Sequence, residues 1–472
     1  MEPLFDLTSH KESAVALVEG ERRIGYGELA ILSDRIAAPC DERRVVFVFC
    51  TNTVESVAGY VGFVNHGVVP LLLDAGVDHD LLTHLVESYR PTYAWMPTKD
   101  TGFFAEANAL LEEGPYTLLE TGCANPPALD ERLGLLMSTS GSTGSPKLVR
   151  QSYDNVRANT RSIVEYLGIT GDERAITSLP MNYVYGLSVI NSHLWAGATL
   201  VLTSQACYAK GFWQLFREQE CTSFAGVPFM YEMLEKLRFT TKMELPTLRT
   251  MTQAGGKLAP DLQDRFAHYA KDHGIDFVVM YGASEATARM GYLPAAHAID
   301  KRGSMGVAIP GGRFEIVDED GKVIDEPNVA GELVYYGPNV TLGYALCADD
   351  LSLGDVNKGR LATGDVALRD EDGFHYIVGR MKRFVKIVGR RTNLDEMERL
   401  LIRRFDTLDV ACAGHDDLLA VFVVDPSITK DVVEYIYQTT EINRRMICVK
   451  VVDEIPKSAA GKTLYGQLNE LL

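Results

Sequence analysis

Residues 136–149 read LMSTSGSTGSPKLV, an apolar stretch that runs into hydroxyl-bearing and small residues followed by a lysine. Such residues make a poor hydrophobic core, but their backbone N–H groups and hydroxyls can wrap a polyphosphate, and the lysine adds a positive charge. The segment therefore predicts a phosphate-binding loop rather than a flexible Ser/Gly linker. The candidate phosphate-binding residues are Thr139, Ser140, Gly141, Ser142, Thr143, Gly144 and Lys147.

This loop differs from the two common nucleotide-binding motifs. A Walker A motif needs G-x-x-x-x-G-K-[ST], whereas Lys147 follows Ser-Pro and precedes a leucine. No G-x-G-x-x-G opens a helix after a strand, so dinucleotide binding is not indicated either.

The elements that must position this loop alternate in type through roughly the first three hundred residues. Val45–Cys50 and residues 69–73 and 199–202 are typical of buried strands, and residues 80–89 have a helical pattern. This alternation predicts an α/β fold with parallel-type sheets covered by helices.

Further along the chain, short strands with turn signals follow one another, as at residues 313–318 and 331–336. They predict an antiparallel or β-barrel-like subdomain. A glycine-and-charge segment follows at residues 379–383, and the predicted domain boundary lies within it, at about residues 380–382. It separates a large N-terminal domain, residues 1–380, from a small C-terminal α+β domain, residues 381–472.

The composition is that of an ordinary globular protein. Of the 472 residues, 46% are hydrophobic and 23% are charged, so a sizeable core can be buried. The formal net charge of -18 argues against nucleic acid as a partner, because phosphate backbones attract Lys and Arg. A local basic site can still bind an anionic cofactor.

The N-terminus and the cysteines bear on the compartment. No basic segment followed by an apolar one begins the chain, and no run of 18 apolar residues appears, so neither a signal peptide nor a membrane span is expected. None of the 8 cysteines forms a C-x-x-C pair, and the C-x-x-H spacing of Cys412 and His415 has no second pair. Reduced thiols, rather than disulfides or zinc, and a cytoplasmic location are therefore expected.

The segment STSGSTGSPKLV resembles the phosphate-loop signature of the adenylate-forming superfamily, which includes acyl-CoA synthetases, adenylation domains of nonribosomal peptide synthetases and luciferases. Further segments resemble this superfamily's motifs in the right order, so the resemblance covers essentially the whole chain. These segments are residues 16–38, residues 281–287 (YGASEAT, similar to YGxTE), GEL at 331–333, TGD at 363–365, residues 379–389 (similar to GRxDxxVKIxG) and residues 455–462 (similar to PxxxxGK).

The resemblance implies an AMP-forming ligase that uses ATP and Mg²⁺. Glu285 would help to hold Mg²⁺, Asp365 would grip the ribose hydroxyls, and Lys462 would bridge the substrate carboxylate and the α-phosphate. The implied catalytic residues are Lys462, Thr143, Glu285, Lys147 and Tyr183. The remaining implied nucleotide-binding residues are Gly255, Gly256, Lys257, Tyr281, Gly282, Ala283, Ser284, Ile377 and Arg380.

Lys382 stands where the superfamily has its hinge. In relatives the small domain swings about this residue, so that one pose serves adenylation and the other opens a path for the thiol acceptor. The resemblance therefore implies a mobile C-terminal domain that pivots near Lys382.

The sequence departs from relatives around the substrate. Tyr183 could be an aromatic gate beside Lys147 or a packed core tyrosine. Val184 stands where amino-acid-activating relatives usually have an aspartate, and a buried ammonium without a counter-charge is costly. The bulky Met280 indicates a shallow pocket. A small acid without an α-amino group is therefore expected, and the candidate pocket residues are Tyr183, Val184, Ser188, Gln253, Val278, Met280 and Arg289.

The role of Arg289 and the identity of the acyl acceptor each have more than one interpretation. Arg289 could hold a second polar group of the acid, but a surface ion pair is the ordinary expectation. Since no carrier attachment motif of the GG[HD]S kind is found, the acceptor is expected to be CoA or a free-standing carrier protein. The alternatives are a stand-alone amino-acid adenylation enzyme, adenylate transfer to a non-thiol acceptor, or a catalytically inactive nucleotide-binding regulator.

Replacing Lys462 by alanine should abolish adenylation while ATP still binds, because a positioned charge that neutralises two anions is lost. The expected loss is about 10²–10³ in rate. The measurement is acid-dependent exchange of pyrophosphate into ATP, and exchange at the wild-type rate in Lys462→Ala would contradict the assignment.

Overall fold

The computed structural model describes residues 3–138, 147–387, 390–407, 409–415, 417–440, 442–457 and 463–472. The predicted phosphate-binding residues Thr139, Ser140, Gly141, Ser142, Thr143 and Gly144 lie outside the described residues, as does Lys462. Their roles stay sequence predictions.

The secondary structure alternates as the sequence predicts, and the predicted strand Val45–Cys50 is confirmed with both its bounds. The strands are β1 Val15–Glu19, β2 Arg22–Gly25, β3 Val45–Cys50, β4 Val69–Asp74, β5 Tyr93–Pro97, β6 Asn108–Glu113, β7 Tyr116–Glu120, β8 Leu133–Ser138, β9 Leu148–Ser152, β10 Arg174–Ile176, β11 Thr199–Leu202, β12 Ser223–Gly226, β13 Thr250–Gln253, β14 Asp276–Tyr281, β15 Gly291–Leu293, β16 Val307–Ala308, β17 Arg313–Val317, β18 Gly331–Tyr336, β19 Gly343–Ala345, β20 Arg360–Arg369, β21 His375–Arg380, β22 Phe384–Ile387, β23 Arg390–Asn393, β24 Val410–His415, β25 Leu418–Val423 and β26 Ile447–Val451.

The helices occupy the segments with helical periodicity, including the predicted one at residues 80–89. They are α1 Tyr26–Ala37, α2 Val54–Asn65, α3 His79–Tyr89, α4 Tyr153–Leu167, α5 Val184–Trp195, α6 Lys210–Glu218, α7 Pro228–Lys236, α8 Phe239–Lys242, α9 Pro260–His273, α10 Leu394–Phe405, α11 Thr429–Thr440 and α12 Tyr465–Glu470. None of the helices in the described ranges combines the length and the hydropathy of a membrane-spanning segment.

The chain divides into two compact units. The first comprises Met1–Arg313 and Tyr336–Leu361, and the second comprises Phe314–Tyr335 and Ala362–Leu472. The second unit thus includes, almost wholly, four strands that the sequence analysis assigns to the N-terminal domain: β17, β18, β20 and β21. The predicted boundary after residue 380 separates two parts of the chain that are expected to move relative to each other. This boundary stays a prediction.

The first unit contains two large sheets whose central strands are parallel, which confirms the predicted α/β class. The nine-stranded sheet has the order β16-β15-β14-β13-β12-β10-β11-β1-β2, and β14, β13, β12, β10, β11 and β1 pair parallel in succession. The eight-stranded sheet has the order β19-β9-β8-β4-β3-β5-β7-β6. Every residue of β3 (VVFVFC) is buried, as expected of a parallel strand covered on both faces.

The second unit is smaller and mixes strands with helices, which confirms the predicted C-terminal α+β part. The strands expected in a barrel-like subdomain lie almost wholly in this unit and form a four-stranded sheet of order β17-β18-β20-β21. A two-stranded sheet, β22-β23, and a three-stranded sheet, β24-β25-β26, follow. Helices α10 and α11 bury apolar residues such as Leu401 and Ile436 against the latter.

Candidate active site

Two predicted nucleotide-binding segments leave the nine-stranded sheet at the same edge. Strands β13 and β14 pair parallel, with Gln253 beside Val279, so their carboxyl ends lie together. Gly255 and Gly256 follow β13 directly, and residues 282–285 follow β14. In open α/β sheets, ligands bind in the crevice outside the carboxyl ends of the strands. The candidate site is therefore built at this edge.

The turn after β14 is tight and doubles back on itself. A Cβ on Gly282 would lie 1.7 Å from the Ala288 carbonyl oxygen, so only glycine fits there. Thr287 and Ala288 both have positive φ, 55° and 108°, which is a strained conformation for non-glycine residues. Asn339 stabilises the turn because its Nδ2 donates to the carbonyls of Ala286 at 2.8 Å and Arg289 at 2.9 Å. The strain is thus held in the segment that presents Glu285.

Tyr344 connects the two charged residues predicted to act on the phosphates. The Lys147 Nζ lies 3.3 Å from the centroid of the Tyr344 ring, a cation–π contact. The Tyr344 hydroxyl donates to Glu285 Oε1 at 2.5 Å. Burial and the neighbouring Glu285 carboxylate raise the pKa of Tyr344 above its ordinary value, so the phenol keeps the proton that it donates. No salt bridge within 4.0 Å joins Lys147 to Glu285, and the tyrosine lies between the two charges.

The fully buried Arg150 fixes the backbone of Tyr344. Its Nε donates to the Tyr344 carbonyl at 3.1 Å and its Nη2 to the Leu342 carbonyl at 2.9 Å. Strand β19 is only three residues long and pairs antiparallel with β9, with Tyr344 beside Val149. Neither Tyr344 nor Arg150 was predicted from the sequence, because no motif marks them and their contacts are long-range.

The residues at this site fit a magnesium–nucleotide complex. Glu285 Oε1 accepts from Tyr344, whereas Oε2 has no hydrogen-bond partner among the described residues. A carboxylate with one oxygen available, beside a lysine that no described acid neutralises, suits a hard cation that bridges phosphates. In the described part of the chain, no cluster of three or more His, Cys, Asp or Glu residues forms a metal site of another kind.

Gly255 and Tyr183 contact each other beside this edge. Gly255 has φ +87°, and a Cβ on it would lie 2.7 Å from the Tyr183 hydroxyl oxygen, so a side chain there would close the space. Burial raises the pKa of Tyr183 to about 12. The ring that contacts the Lys147 ammonium is that of Tyr344. The role of Tyr183, as an aromatic gate or a packed tyrosine, stays a prediction. The predicted residues Lys257 and Gly256 are exposed next to Gly255.

The predicted pocket residues converge in part. Arg289 contacts Ser188 and Met280, with Nε to Ser188 Oγ at 3.2 Å and Nη1 to Met280 Sδ at 3.1 Å. Val184 in α5 and Val278 in β14 are also buried. Their side chains are apolar and make no hydrogen bond to Arg289. The surface ion pair expected for Arg289 is wrong, since the residue is 2% exposed and has no acid within 4.0 Å among the described residues.

Three predicted nucleotide-binding residues lie together in the second unit. Asp365 and Arg380 face each other across β20 and β21, and Arg380 Nε donates to Asp365 Oδ1 at 3.0 Å. Ile377 pairs with Ala367 in the same ladder. The Asp365 side chain is largely buried, whereas that of Arg380 is exposed. The arrangement is compatible with ribose binding by Asp365, which stays a prediction.

A buried network in the second unit links the residue after the predicted hinge to the segment after Lys462. Arg383 donates to Asp395 at 2.7 Å and to Glu398 at 2.6 Å. Its guanidinium carbon lies 3.6 Å from the centroid of the Tyr465 ring, and the Tyr465 hydroxyl donates to Glu398 Oε2 at 2.9 Å. Lys382 immediately precedes Arg383, so the backbone beside the predicted pivot is firmly anchored within this unit.

A further groove of the first unit lies elsewhere. It has a volume of about 930 Å³ and is lined by residues that include Asn52, Thr53, Thr203 and Gln205, at the carboxyl ends of β3 and β11. None of the predicted site residues that the structure describes lines this groove, so it does not bear on the candidate site.

Comparison with known proteins defines the class of protein. The AMP-binding enzyme family matches residues 6–345, which is more than half of the chain. The α/β fold of the first unit agrees with this match. The chain belongs to the AMP-binding enzyme family.

Two curated relatives illustrate the range of the family. The chain is 27% identical over 491 residues to an indoleacetate–CoA ligase of Aromatoleum aromaticum, a match that covers 96% of the chain and 94% of the relative. It is 26% identical over 355 residues to a luciferin 4-monooxygenase of Nipponoluciola cruciata, over 72% of the chain. That match spans 64% of the luciferin 4-monooxygenase, less than two thirds of its length.

A solved structure agrees with the fold over the whole chain. O-succinylbenzoate coenzyme A synthetase from Bacillus subtilis, in complex with ATP and magnesium ion, has a TM-score of 0.79 and 22% identity. The alignment covers 99% of this chain and 98% of that one. At this identity the similarity shows the fold alone.

Replacing Tyr344 by phenylalanine should lower the adenylation rate and weaken its dependence on Mg²⁺. The change keeps the ring under Lys147 but removes the hydroxyl that positions Glu285. Hydrogen bonds to charged groups contribute about 1.5–3 kcal/mol, so the rate should fall by roughly 10- to 100-fold. The measurement is pyrophosphate exchange as a function of Mg²⁺ concentration.

Tyr93→Phe is the matched control, because it removes another tyrosine–carboxylate hydrogen bond, 3.1 Å from Tyr93 to Asp41, far from these residues in sequence. Its exchange rate should equal that of the wild type. Equal rates and equal Mg²⁺ dependence in Tyr344→Phe and Tyr93→Phe would show that Tyr344 does not position Glu285.

Proposed function

We propose that this chain is an ATP-dependent acid–CoA ligase that forms an acyl-adenylate and transfers the acyl group to the thiol of CoA. The observation that carries the proposal is the arrangement of Lys147, Tyr344 and Glu285, which presents a cation and a carboxylate that do not neutralise each other. Family membership and an indoleacetate–CoA ligase similar over 96% of the chain support it.

Two displacements make up the proposed reaction. In the first, a carboxylate oxygen of the acid attacks the α-phosphorus of ATP, and the bond to the β-phosphate oxygen breaks to release pyrophosphate. In the second, the CoA sulfur attacks the acyl carbon, AMP leaves with the bond electrons, and the thiol proton is released. Both steps require charge neutralisation and an in-line approach.

The residues of the chain have separate roles in this proposal. Lys147 and the residues of the phosphate loop hold the β- and γ-phosphates. Glu285 holds magnesium, which would screen the phosphate charges when bound. Asp365 orients the ribose, and Lys462 brings together the substrate carboxylate and the α-phosphate.

The acid is proposed to be small and to lack an α-amino group. Val184 supplies no negative charge for an ammonium, and Met280 fills space at the end of β14. The buried guanidinium of Arg289 adds a further reason, because it would repel an ammonium placed near it. These features disfavour the alternative of a stand-alone amino-acid adenylation enzyme.

The C-terminal residues are proposed to move between the two steps about Lys382. The backbone of Lys382 lies in the short 3-10 helix Met381–Arg383, directly between β21 and β22. A short segment between two strands suits a hinge, since a few element-terminal residues absorb the change in φ and ψ. A free-standing carrier protein as the acceptor, in place of CoA, is an alternative that the test below separates.

A panel of carboxylic acids, each with ATP and Mg²⁺, should show acid-dependent pyrophosphate release. CoA should raise the steady-state rate, because it removes the acyl-AMP. Pyrophosphate release that CoA leaves unchanged would favour a carrier protein or a non-thiol acceptor. No release with any acid, under conditions where ATP binds, would support an inactive nucleotide-binding regulator and contradict the proposal.

A further inference from the structure

Arg289 is a buried arginine whose contacts are all with uncharged groups. Its Nε donates to Ser188 Oγ at 3.2 Å and its Nη1 to the Tyr166 hydroxyl at 3.0 Å. The guanidinium carbon lies 5.0 Å from the centroid of the Tyr185 ring. Nη2 donates no hydrogen bond to any described residue. The guanidinium is therefore held through Nε and Nη1, while the N–H groups of Nη2 have no hydrogen-bond partner among the described residues.

The positive charge of Arg289 has no counter-charge in the described part of the chain. A buried, unpaired guanidinium is costly, and a cation–π contact offsets only part of that cost. His193 adds no second positive charge near pH 7, because burial and, to a smaller extent, the charge of Arg289 lower its pKa to about 4. Its Nδ1 hydrogen-bonds to the Val189 carbonyl at 2.8 Å.

A small cavity of about 30 Å³ lies beside Arg289, between α5 and the strands β10, β12 and β13. Its lining combines apolar residues such as Val189 and Phe224 with Thr252, Ser192 and Glu173. Glu173 is already paired, because it accepts from Arg249 at 3.2 Å and also from the Thr222 hydroxyl. The acid in this cavity is thus unavailable to neutralise Arg289.

Two tyrosines connect the surroundings of Arg289 to the carboxyl end of β13, where a predicted nucleotide-binding segment begins. The Tyr185 hydroxyl hydrogen-bonds to Thr252 Oγ1 at 2.8 Å, and the Tyr185 and Tyr183 rings are 6.3 Å apart. Tyr183 in turn contacts Gly255 at the end of β13. A chain of contacts thus runs from Gly255 through Tyr183 and Tyr185 to Arg289.

We propose that Arg289 binds the second carboxylate of a small dicarboxylic acid, which the active site proposed above activates at its other carboxylate. This inference rests on the proposed function and assigns it a substrate class. The guanidinium supplies the charge and the unused donors of Nη2, and charge-assisted hydrogen bonds from arginine to carboxylate are strong and specific. Bound substrate thereby supplies the counter-charge that the described chain lacks.

The test compares acids of equal length that differ only at the far end: succinate, its monoamide succinamate, and butyrate. Wild-type kcat/KM for pyrophosphate exchange should be highest for the dicarboxylate. Arg289→Gln should raise the KM for the dicarboxylate by roughly 100-fold, because one partner of a buried charge pair is truncated, and leave the monoamide within a few-fold. Malonate and glutarate, each with its monoamide, extend the comparison to other lengths.

Arg161→Gln is the matched control, since Arg161 is an exposed arginine of α4 that packs on the Trp195 ring of α5, 5.1 Å from its centroid. It should keep the wild-type preference. Arg289→Lys, which retains the charge, should keep part of it. The proposal would be overturned if Arg289→Gln lowered kcat/KM equally for dicarboxylates and their monoamides. It would also be overturned if the wild type preferred acids with an uncharged far end at every length.

A second measurement separates this proposal from the proposed reaction. Thermal unfolding is followed with and without each dicarboxylate, for wild type and for Arg289→Gln, in the absence of ATP. If a dicarboxylate stabilises the wild type but not Arg289→Gln, the carboxylate site is supported. If no pyrophosphate exchange accompanies that stabilisation, only the proposed reaction fails. Pyrophosphate exchange with monocarboxylic acids but no stabilisation by any dicarboxylate would overturn the site and leave the reaction standing.

Discussion

Tyr344 separates a positive charge from a negative one, and the candidate site depends on that separation. Its ring holds the Lys147 ammonium and its hydroxyl holds the Glu285 carboxylate, so the two residues do not form a direct salt bridge. A direct pair would consume both charges before a nucleotide arrived. In the proposed function the phosphates need the cation and magnesium needs the carboxylate, so both must stay available.

Much of the surrounding structure serves to hold these charges in place. Arg150 donates a hydrogen bond to the backbone carbonyl of Tyr344, and Asn339 donates one to a carbonyl of the strained turn after β14. Gly282 permits the close approach of the Ala288 carbonyl that the turn requires. The same principle extends to Arg289, whose charge is buried among neutral partners. Preorganised charges of this kind are a common source of catalytic and binding energy.

The sequence was sufficient to predict the fold class and the segments of the site, because these depend on local patterns. The strand Val45–Cys50 is a run of apolar residues, and the turn containing Glu285 belongs to a contiguous motif. Tyr344 could not be predicted, since it meets Lys147 through a three-residue strand 197 positions further along the chain. The burial of Arg289 likewise results from the packing of α4 and α5, whereas an arginine in isolation is expected at the surface.

The central claim is that the first unit contains a charge that substrate must complement. Calorimetric titration with two non-hydrolysable sulfamoyl analogues of the acyl-adenylate tests it most directly, one ending in a carboxylate and the other in the corresponding amide. The account predicts that the carboxylate analogue binds roughly 100-fold more tightly to the wild-type protein. Equal affinities, or tighter binding of the amide, would contradict it.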